Sequence, residues 1–550
     1  MAREAETRPK PPQQQGSGPK PKKPKKKGGG IAIAGPSVVL VAVSAVALGV
    51  LYSRRADRTP KGDAHTLLRS LRDGTQCSSS ATLPVLDVRL LGADDDPAVL
   101  RGLRCPVVLI GALELCGAAR SITERWVADG WRHMRRAIES TTVQFNANSH
   151  SPSFTNWDNQ TALAVAVRSR AVASQGFVKT AAAGGAFLEE VRRVGDRAAL
   201  GWVRYGSTLR GFSPKLCREL RLPQCSNERS THPSSGHGAG LLAPVSVASP
   251  TEATNVGLWV AAAGVTSTAH YDRWDNTHVV VAGRKRLLVA PPSLSAFARL
   301  GIRPGSHPHA RQTRTAPRAV KSSSNATPGA TSEAVPSLSA DPADGVSAIE
   351  VTLAAGEAIF LPAGWLHEVT AVEPSAALSV TTIPFELGDF SQFVGDQAAF
   401  APFLERWDDF QPERLVAALQ IFLPKLLAEL RVDPAALRDA ILSAYGEETR
   451  REGGLPPRAG SAGVKGSTLC ESAGGWQQSA HAERDALISD AVRVASRLRT
   501  YRPELLDHYM LLYMDLLLSK AGGAGDASEV LGRMLTDLID GDPCQLFVQQ

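Results

Sequence analysis

Strand-forming segments in the middle of the chain constrain its fold more than any other feature. Three of them, at residues 256–265, 277–290 and 349–380, are rich in Val, Leu and Ala and are interrupted by glycines such as Gly283. Short apolar runs bounded by Gly and Pro predict strands rather than helices. The sequence therefore predicts a mainly β core.

Helical periodicity replaces the strand pattern after about residue 400. Apolar residues recur at helical spacing in 415–426, and Asp433-Pro434 is a suitable N-cap and first-turn pair for a helix through Tyr445. We therefore expect flanking helices in two regions, a helical region at 391–446 and a C-terminal helical region at 481–550, with a Gly/Ser/Pro-rich linker between them at 447–480.

Residues 303–347 separate two of the predicted strands and differ from them in composition. They contain no aromatic residue and are dense in Ser, Ala, Pro and Thr. Such a segment cannot bury enough apolar surface to form a core, and long insertions in surface loops cost little. We predict a disordered insertion within one domain.

The N-terminus combines a basic tail with an uncharged apolar run. Residues 1–30 hold nine Lys or Arg against two Glu, and the next 22 residues hold no charge. A helix of that length spans about 33 Å, enough to cross a bilayer, and the preceding lysines favour a cytoplasmic N-terminus. We expect a disordered cytoplasmic tail, a transmembrane signal-anchor helix and a stalk, at 1–30, 31–52 and 53–82 respectively.

This topology predicts a single-pass type II membrane protein of the endoplasmic reticulum or Golgi with a lumenal body. A cleaved signal peptide and an organelle-targeting peptide remain as alternatives. Outside the tail, the chain carries 52 basic and 52 acidic side chains. A body without net charge argues against nucleic acid as a partner. In a lumenal compartment Cys217 and Cys225 could be bridged, and free thiols are the alternative.

His270-Tyr-Asp272 and the later His367 form the pattern that carries chemistry. In a strand, residues i and i+2 share a face, so the imidazole and the carboxylate emerge side by side. Two histidines and one carboxylate, with other positions open, are the ligand set of non-heme Fe(II) oxygenases. A bare His-x-Asp is a weak signal, because 12 histidines make chance pairs common.

Lys285 strengthens the pattern, since it lies fifteen residues after His270 in an otherwise apolar strand pair. Strand alternation would direct it into the core, where an ammonium needs an anionic partner. The alternative register buries Arg284 and Arg286 and leaves Lys285 in solvent.

Together these segments resemble the JmjC or cupin-like family of Fe(II)- and 2-oxoglutarate-dependent oxygenases, in particular its asparaginyl-hydroxylase branch. The resemblance covers about 83–386. It rests on two sets of residues in order, namely Gly264, Ser267, His270, Asp272, Asn276, Gly283, Lys285 and Pro291-Pro292, and then Gly356, Glu357, Pro362, Trp365 and His367.

The resemblance implies a double-stranded β-helix (a jelly-roll, cupin-like fold) over 83–390. It implies that Fe(II) is bound by His270, Asp272 and His367. It also implies that Lys285 and Ser267 bind the distal carboxylate of 2-oxoglutarate and that Asn276 lies near its metal-chelating end. The expected activity is hydroxylation of a protein or peptide by a 2-oxoglutarate-dependent dioxygenase.

Two other functions remain open, a catalytically silent cupin-like binding module and a JmjC-type demethylase. The intact ligand set favours an enzyme over the silent module. The anchor and the absence of a chromatin-reader motif count against the demethylase. Besides the substrate and the membrane, a homodimer through the apolar C-terminal helices is an expected partner.

Overall fold

A computed structural model describes part of the 550-residue chain. The described residues are 61–72, 82–90, 103–115, 120–139, 141–148, 152–154, 178–193, 202–219, 255–303, 310–313, 337–339, 345–382, 412–445, 480–500 and 505–520. The predicted tail and anchor lie outside them, as does nearly all of the predicted linker. No helix within the described ranges is long and apolar enough to span a bilayer.

The strands account for most of the centre of the chain. In chain order they are β1 Val85–Asp87, β2 Val107–Ile110, β3 Thr142–Asn148, β4 Ser153–Phe154, β5 Val178–Ala183, β6 Trp202–Thr208, β7 Asn255–Ala261, β8 Thr266–Tyr271, β9 Asp275–Ala282, β10 Arg284–Ala290, β11 Ser337–Ser339, β12 Gly345–Ser347, β13 Ile349–Ala354, β14 Glu357–Leu361, β15 Leu366–Ala371 and β16 Ser375–Thr382.

Most strands belong to two sheets. The large sheet has the order β1-β2-β14-β9-β16-β7-β6-β3-β5, and the small sheet has the order β13-β10-β15-β8-β4. Within these two sheets, pairing is antiparallel except for β1 with β2 and β4 with β8. Side chains from both sheets line one cavity. The mainly β core predicted from the sequence is confirmed.

The turn between β9 and β10 shows why this sequence forms two strands here rather than one. Gly283 has a φ of +68°, which favours glycine, and a Cβ on it would lie 2.1 Å from the carbonyl oxygen of Pro374. Only a residue without a side chain fits this position. The predicted break at Gly283 is therefore confirmed, and it sets the register of Lys285.

The helices flank the sheets. In chain order they are α1 Lys61–Arg72, α2 Ala112–Leu115, α3 Arg120–Ile138, α4 Gly184–Arg192, α5 Leu209–Phe212, α6 Pro214–Glu219, α7 Leu294–Leu300, α8 Pro412–Leu430, α9 Pro434–Tyr445, α10 Ala480–Leu498 and α11 Leu506–Lys520. The predicted cap of α9 is confirmed, because Asp433 Oδ1 accepts a hydrogen bond of 3.0 Å from the Ala435 N–H.

Two apolar clusters hold the layers together. One joins the large sheet to helices near the N-terminal side and buries Trp126 and Phe187. The other joins the small sheet to α7–α11 and buries Phe422, Tyr509 and Tyr513. Burial of each such aromatic side chain stabilises the folded state by about 1–3 kcal/mol. The described C-terminal helices are thus part of the same core as the small sheet, not a separate region.

Part of the predicted stalk is also folded. Residues 61–72 form α1, whose Leu68 and Leu71 are buried in the cluster on the large sheet. The carbonyl oxygen of Leu71 accepts a hydrogen bond of 3.1 Å from the Arg104 N–H. The stalk prediction is wrong for this helix, because Leu67, Leu68 and Leu71 give it an apolar face.

The prediction of a disordered insertion at 303–347 is wrong for its described residues. Residues 310–313 pair beside β8, where the Thr313 N–H donates to the Ala269 carbonyl at 3.0 Å. Strands β11 and β12 pair in parallel and bury Leu338 and Val346 in the apolar cluster around the small sheet. Leu338 and Val346 are apolar residues in an otherwise polar segment, and their burial attaches the segment to the core.

Two buried cysteines are disulfide-bonded in the structure, Cys105 and Cys217. Cys225 lies outside the described residues. The pairing of Cys217 with Cys225 therefore stays a prediction, whereas the bonded state of Cys217 agrees with it.

Candidate metal centre

The three predicted metal ligands converge at one end of the cavity. His270 lies on β8, directly opposite His367 on β15, and Asp272 follows β8 immediately. The ligand atoms of the three side chains lie within 4.8 Å of one another. This spacing leaves room for one divalent cation between them.

Two hydrogen bonds donated by backbone N–H groups join the turn before His367 to the loop that contains Asp272. The Gly364 N–H donates to the Asp272 carbonyl at 2.8 Å, and the Ala363 N–H donates to Asp275 Oδ1 at 2.8 Å. The Pro-Ala-Gly turn before His367 is therefore fixed to the His-x-Asp loop. Ligands about a hundred residues apart in sequence are held in register by these contacts.

Backbone carbonyls set the tautomer of both imidazoles. His270 Nδ1 lies 2.6 Å from the Thr268 carbonyl oxygen, and His367 Nδ1 lies 3.0 Å from the Trp365 carbonyl oxygen. A carbonyl only accepts, so Nδ1 carries the proton in each neutral ring and Nε2 keeps its lone pair. That is the form in which histidine binds a metal.

Asn276 orients the carboxylate. Its Nδ2 donates to Asp272 Oδ2 at 2.9 Å, and its Oδ1 accepts from the Ser379 hydroxyl at 2.8 Å. The amide is therefore fixed in one orientation by two partners. In this structure Asn276 orients the carboxylate of Asp272, a predicted metal ligand. This role is additional to the one expected from the sequence, a position near the chelating end of the co-substrate.

The electrostatics of the three groups suit a cation. Burial, together with His367, lowers the pKa of His270 to about 4, so the imidazole is neutral at pH 7. Burial acts to raise the pKa of Asp272, but the two histidines and Asn276 outweigh it and hold that pKa below its usual value. Neutral imidazoles and an ionised carboxylate form the donor set that non-heme Fe(II) requires.

The cavity behind the triad has a volume of about 420 Å³. Lys285 lies in its wall with 4% of its surface exposed, while Arg284 and Arg286 reach solvent and pair with Glu373 and Glu350. The predicted inward register of Lys285 is thus confirmed. Burial, followed by the nearby Arg204, lowers the pKa of Lys285 to about 7.

Ser267 and two residues that the sequence analysis missed also line the cavity. Ser267 accepts a hydrogen bond of 3.2 Å from Arg204, a buried cation on β6. Arg311 also lines the cavity, and its carbonyl oxygen accepts from the Tyr271 N–H at 3.3 Å. An arginine among apolar residues in the segment 202–208 was the available signal for Arg204, whereas the composition around Arg311 offered none.

Comparison with known proteins bears directly on this arrangement. Residues 142–381 match the family model of the cupin-like domain, and this range includes all three predicted ligands and Lys285. These residues are thus similar to a cupin-like domain. The match begins at β3 and ends within β16, so it contains the small sheet and most of the large one.

One curated relative is the lysine-specific demethylase JMJ31 of Arabidopsis thaliana. It is 31% identical over 129 residues, which is 23% of this chain and 20% of the relative. The matched region thus spans about a fifth of that protein's length. The His-Asp-His set that could hold a metal ion lies within the range matched by the cupin-like domain model.

Proposed function

We propose that this protein is an Fe(II)- and 2-oxoglutarate-dependent dioxygenase that hydroxylates a protein or peptide. The observation that carries the proposal is the His-Asp-His set at one end of a cavity whose other wall holds the buried Lys285. A generic metal site needs the triad alone. A buried lysine facing the same cavity adds a site for the far end of an anionic co-substrate.

Each residue has a definite part in this proposal. His270 and His367 bind the metal through Nε2, and Asp272 binds it through a carboxylate oxygen that Asn276 orients. Lys285 and Ser267 bind the distal carboxylate of 2-oxoglutarate. When bound, the metal and co-substrate together with O₂ supply the oxidation of a substrate C–H bond.

Demethylation is the second candidate reaction, favoured by the name of the Arabidopsis relative. Oxidation of an N-methyl carbon would give demethylation with release of formaldehyde, whereas oxidation of other carbons leaves a hydroxyl group. The catalytically silent binding module is the third. The complete ligand set and its oriented tautomers support an enzyme over a silent module.

The decisive experiment measures ligand binding and product formation with the purified full-length protein in detergent. Under anaerobic conditions we expect stoichiometric Fe(II) binding and then 2-oxoglutarate binding that requires the metal. On admission of O₂ we expect slow uncoupled succinate formation. Formaldehyde formation on a methylated-peptide array would favour the demethylase, and absence of both metal and 2-oxoglutarate binding would leave the silent module.

We further propose that the protein is anchored by residues 31–52 with its body in the lumen of the secretory pathway. The disulfide-bonded Cys105 and Cys217 support this, because disulfides persist in oxidising compartments. Protease added to sealed microsomes should remove the N-terminal tail and spare the body. Digestion of the body while lumenal controls survive would contradict the orientation, and a mature N-terminus beyond residue 52 would favour a cleaved targeting peptide.

A further inference from the structure

The exposed residues of the cavity lining show where a substrate can enter. Among the described residues that line the cavity, those exposed to solvent are residues 206–208 at the end of β6 and Arg273 and Trp274 in the turn between β8 and β9. Lining residues such as Lys285 and His278 are buried. We call residues 206–208, Arg273 and Trp274 the entrance, because a substrate must pass them to reach the predicted metal ligands.

Trp274 leaves apolar surface in solvent at this entrance. It is 39% exposed, and the other large apolar side chains that are exposed in the described part of the chain are aliphatic. Tryptophan is enriched at binding sites because a partner that covers it removes a large apolar surface from water. Trp274 lies two residues after Asp272, so a peptide bound beside the metal can pack on it.

Arg311 lines the same cavity and has an unusual backbone conformation. Its φ is +62°, and the other described non-glycine residue with a positive φ is Arg431, directly after α8. A left-handed residue is common after a helix, but Arg311 lies in the segment that pairs beside β8. Such strain persists only where the surrounding contacts fix it, and it is concentrated at binding sites.

Backbone hydrogen bonds hold Arg311 on both sides. Its N–H donates to the Arg303 carbonyl at 2.9 Å, and its carbonyl accepts from the Tyr271 N–H at 3.3 Å. The Arg303 N–H in turn donates to the Gln312 carbonyl at 2.9 Å. Because these bonds use only the main chain, they position the Arg311 side chain without depending on it.

The guanidinium of Arg311 lies on the side of the cavity that holds the metal ligands. Burial, the two histidines and Asn276 have larger effects on the pKa of Asp272, and Arg311 also acts to lower it. No carboxylate of the described residues forms an ion pair with Arg311. Asp272 is the only carboxylate among the described lining residues, and a bound metal would occupy it. Arg311 is therefore available to an anionic group of a substrate.

We propose that Arg311 binds an Asp or Glu side chain of the peptide substrate, close to the residue that is oxidised, and that Trp274 packs against the same peptide. The inference rests on the proposed function and names its substrate class, an acidic peptide. Hydrogen bonds between a guanidinium and a carboxylate are among the strongest in proteins. A peptide rich in Lys or Arg would instead meet like charge from Arg273 and Arg311.

The test measures peptide binding to the full-length protein in a non-ionic detergent. Mn(II) replaces Fe(II) in the presence of 2-oxoglutarate, so that no turnover occurs. The probes are three fluorescent pools of short peptides with the same apolar residues, whose remaining positions carry Asp and Glu, Asn and Gln, or Lys and Arg. By fluorescence polarisation we expect the acidic pool to bind about tenfold or more tightly than the neutral pool, and the basic pool to bind most weakly.

Variants assign this preference to single residues. Arg311→Gln should remove most of the preference for the acidic pool and leave binding of the neutral pool, Mn(II) and 2-oxoglutarate unchanged. Arg311→Lys should keep part of the preference, because the charge remains without the planar fork. Trp274→Ala should weaken the acidic and neutral pools alike. Arg431→Gln is the matched control, an arginine of the same backbone conformation outside the cavity lining, and it should change none of these values.

Several outcomes would overturn the inference. They are equal affinity of the wild-type protein for the acidic and neutral pools, failure of all three pools to bind, and an acidic preference that survives Arg311→Gln. Weaker 2-oxoglutarate binding in Arg311→Gln would also overturn it, since Arg311 would then hold the co-substrate. Near-ultraviolet circular dichroism checks folding, and Arg311→Met, which keeps the apolar stem, replaces Arg311→Gln if that variant does not fold.

The same measurements separate this inference from the proposed function. A wild-type protein that binds Mn(II) and 2-oxoglutarate but shows no acidic preference would overturn the inference alone. A wild-type protein that binds neither would overturn the proposed function, and the substrate assignment with it.

Discussion

At the scale of single residues, the predicted metal ligands depend on neighbours that do not themselves touch a metal. Backbone carbonyls fix the protons of both histidines on Nδ1, and Asn276 with Ser379 fixes the carboxylate of Asp272. Such outer partners typically contribute 10–100-fold to metal affinity. Each of the three predicted ligands is therefore held in one orientation by a hydrogen bond to a neighbouring group.

The first prediction separates a ligand from its support. Asp272→Ala should abolish measurable Fe(II) and Mn(II) binding, because only two protein ligands remain. Asn276→Ala should weaken metal binding by about 10–100-fold, since the carboxylate stays but loses its orientation. Anaerobic metal titration measures both. Wild-type affinity in Asp272→Ala would contradict the ligand assignment.

The second prediction concerns Lys285, whose pKa of about 7 lies well below that of an ordinary lysine. A dianionic ligand binds the protonated form. As pH rises through 7 the free site loses its charge, so 2-oxoglutarate affinity should fall by up to about tenfold per pH unit. Calorimetry at pH 8 in buffers of different ionisation enthalpy should show proton uptake on binding, and at pH 6 almost none.

Lys285→Ala is the companion variant. It should raise the dissociation constant for 2-oxoglutarate at least about tenfold at pH 6.5 and remove the proton uptake at pH 8. Metal affinity without co-substrate should change little. Proton uptake that persists in Lys285→Ala would place the titrating group elsewhere.

The third prediction concerns His508, a buried residue of α11 with no hydrogen-bond partner for either ring nitrogen among the described residues. Burial lowers its pKa to about 3. The unfolded imidazole takes a proton near pH 6.5, so stability falls as pH drops from about 6.5 towards 3. His508→Leu should raise the free energy of unfolding by about 1 kcal/mol or more and flatten this acid dependence.

His133→Leu is the contrasting variant. His133 Nε2 lies 2.6 Å from Glu219, and removing it leaves a partly buried carboxylate unpaired. We expect this variant to be less stable than wild type in the same denaturant titration. If His508→Leu is instead less stable than wild type, the prediction is wrong, and the contact of the imidazole with Tyr271 stabilises the fold.

At the scale of elements, the segment 310–313 is part of the folded domain, although the composition around it predicts disorder. It bridges to His270 through Gln312, and Arg303 donates a hydrogen bond to the Thr313 carbonyl. The fourth prediction is that deleting 306–345 weakens metal binding and lowers the melting temperature. Deleting only 315–335 should change neither. Equal behaviour of the two deletions would show that the bridge is dispensable.

Much of the fold and the site could be predicted at this scale because the relevant spacings are local. His270, Asp272 and Lys285 lie within one short segment that spans β8 to β10, and the break between β9 and β10 is encoded by Gly283. Arg204 reaches the cavity only through the pairing of β6 with β7, which no local pattern indicates. Alternation assigns faces within a strand but does not choose strand neighbours.

Some elements were missed for other physical reasons. The segment of β5 is rich in alanine, which has low strand propensity, and it forms a strand because β3 pairs with it. Strand β3 does alternate Val143, Phe145 and Ala147, so its signal was available. Composition predicts a stalk where α1 forms, although the leucines of this segment mark an apolar face.

At the scale of the whole molecule, the described C-terminal helices complete the core that supports the small sheet. Tyr509 and Tyr513 of α11 are fully buried in the same cluster as strand residues of β10 and β15. Asp507 also accepts a hydrogen bond of 3.2 Å from the first residue of α7. The homodimer through these helices stays a prediction, and it would have to use side chains other than those buried here.

The contact of His508 with the predicted metal site has a consequence for the order in which the protein matures. His508 lies against Tyr271, which separates His270 from Asp272, with ring centroids 4.8 Å apart, and a Cβ on Gly364 would lie 2.9 Å from its ring. The ribosome completes all three ligands long before it reaches this helix. A nascent or prematurely terminated chain ending before residue 505 thus carries every predicted ligand but lacks the packing of His508 against Tyr271. We therefore expect a chain that ends before residue 505 to bind Fe(II) more weakly than the full-length protein does.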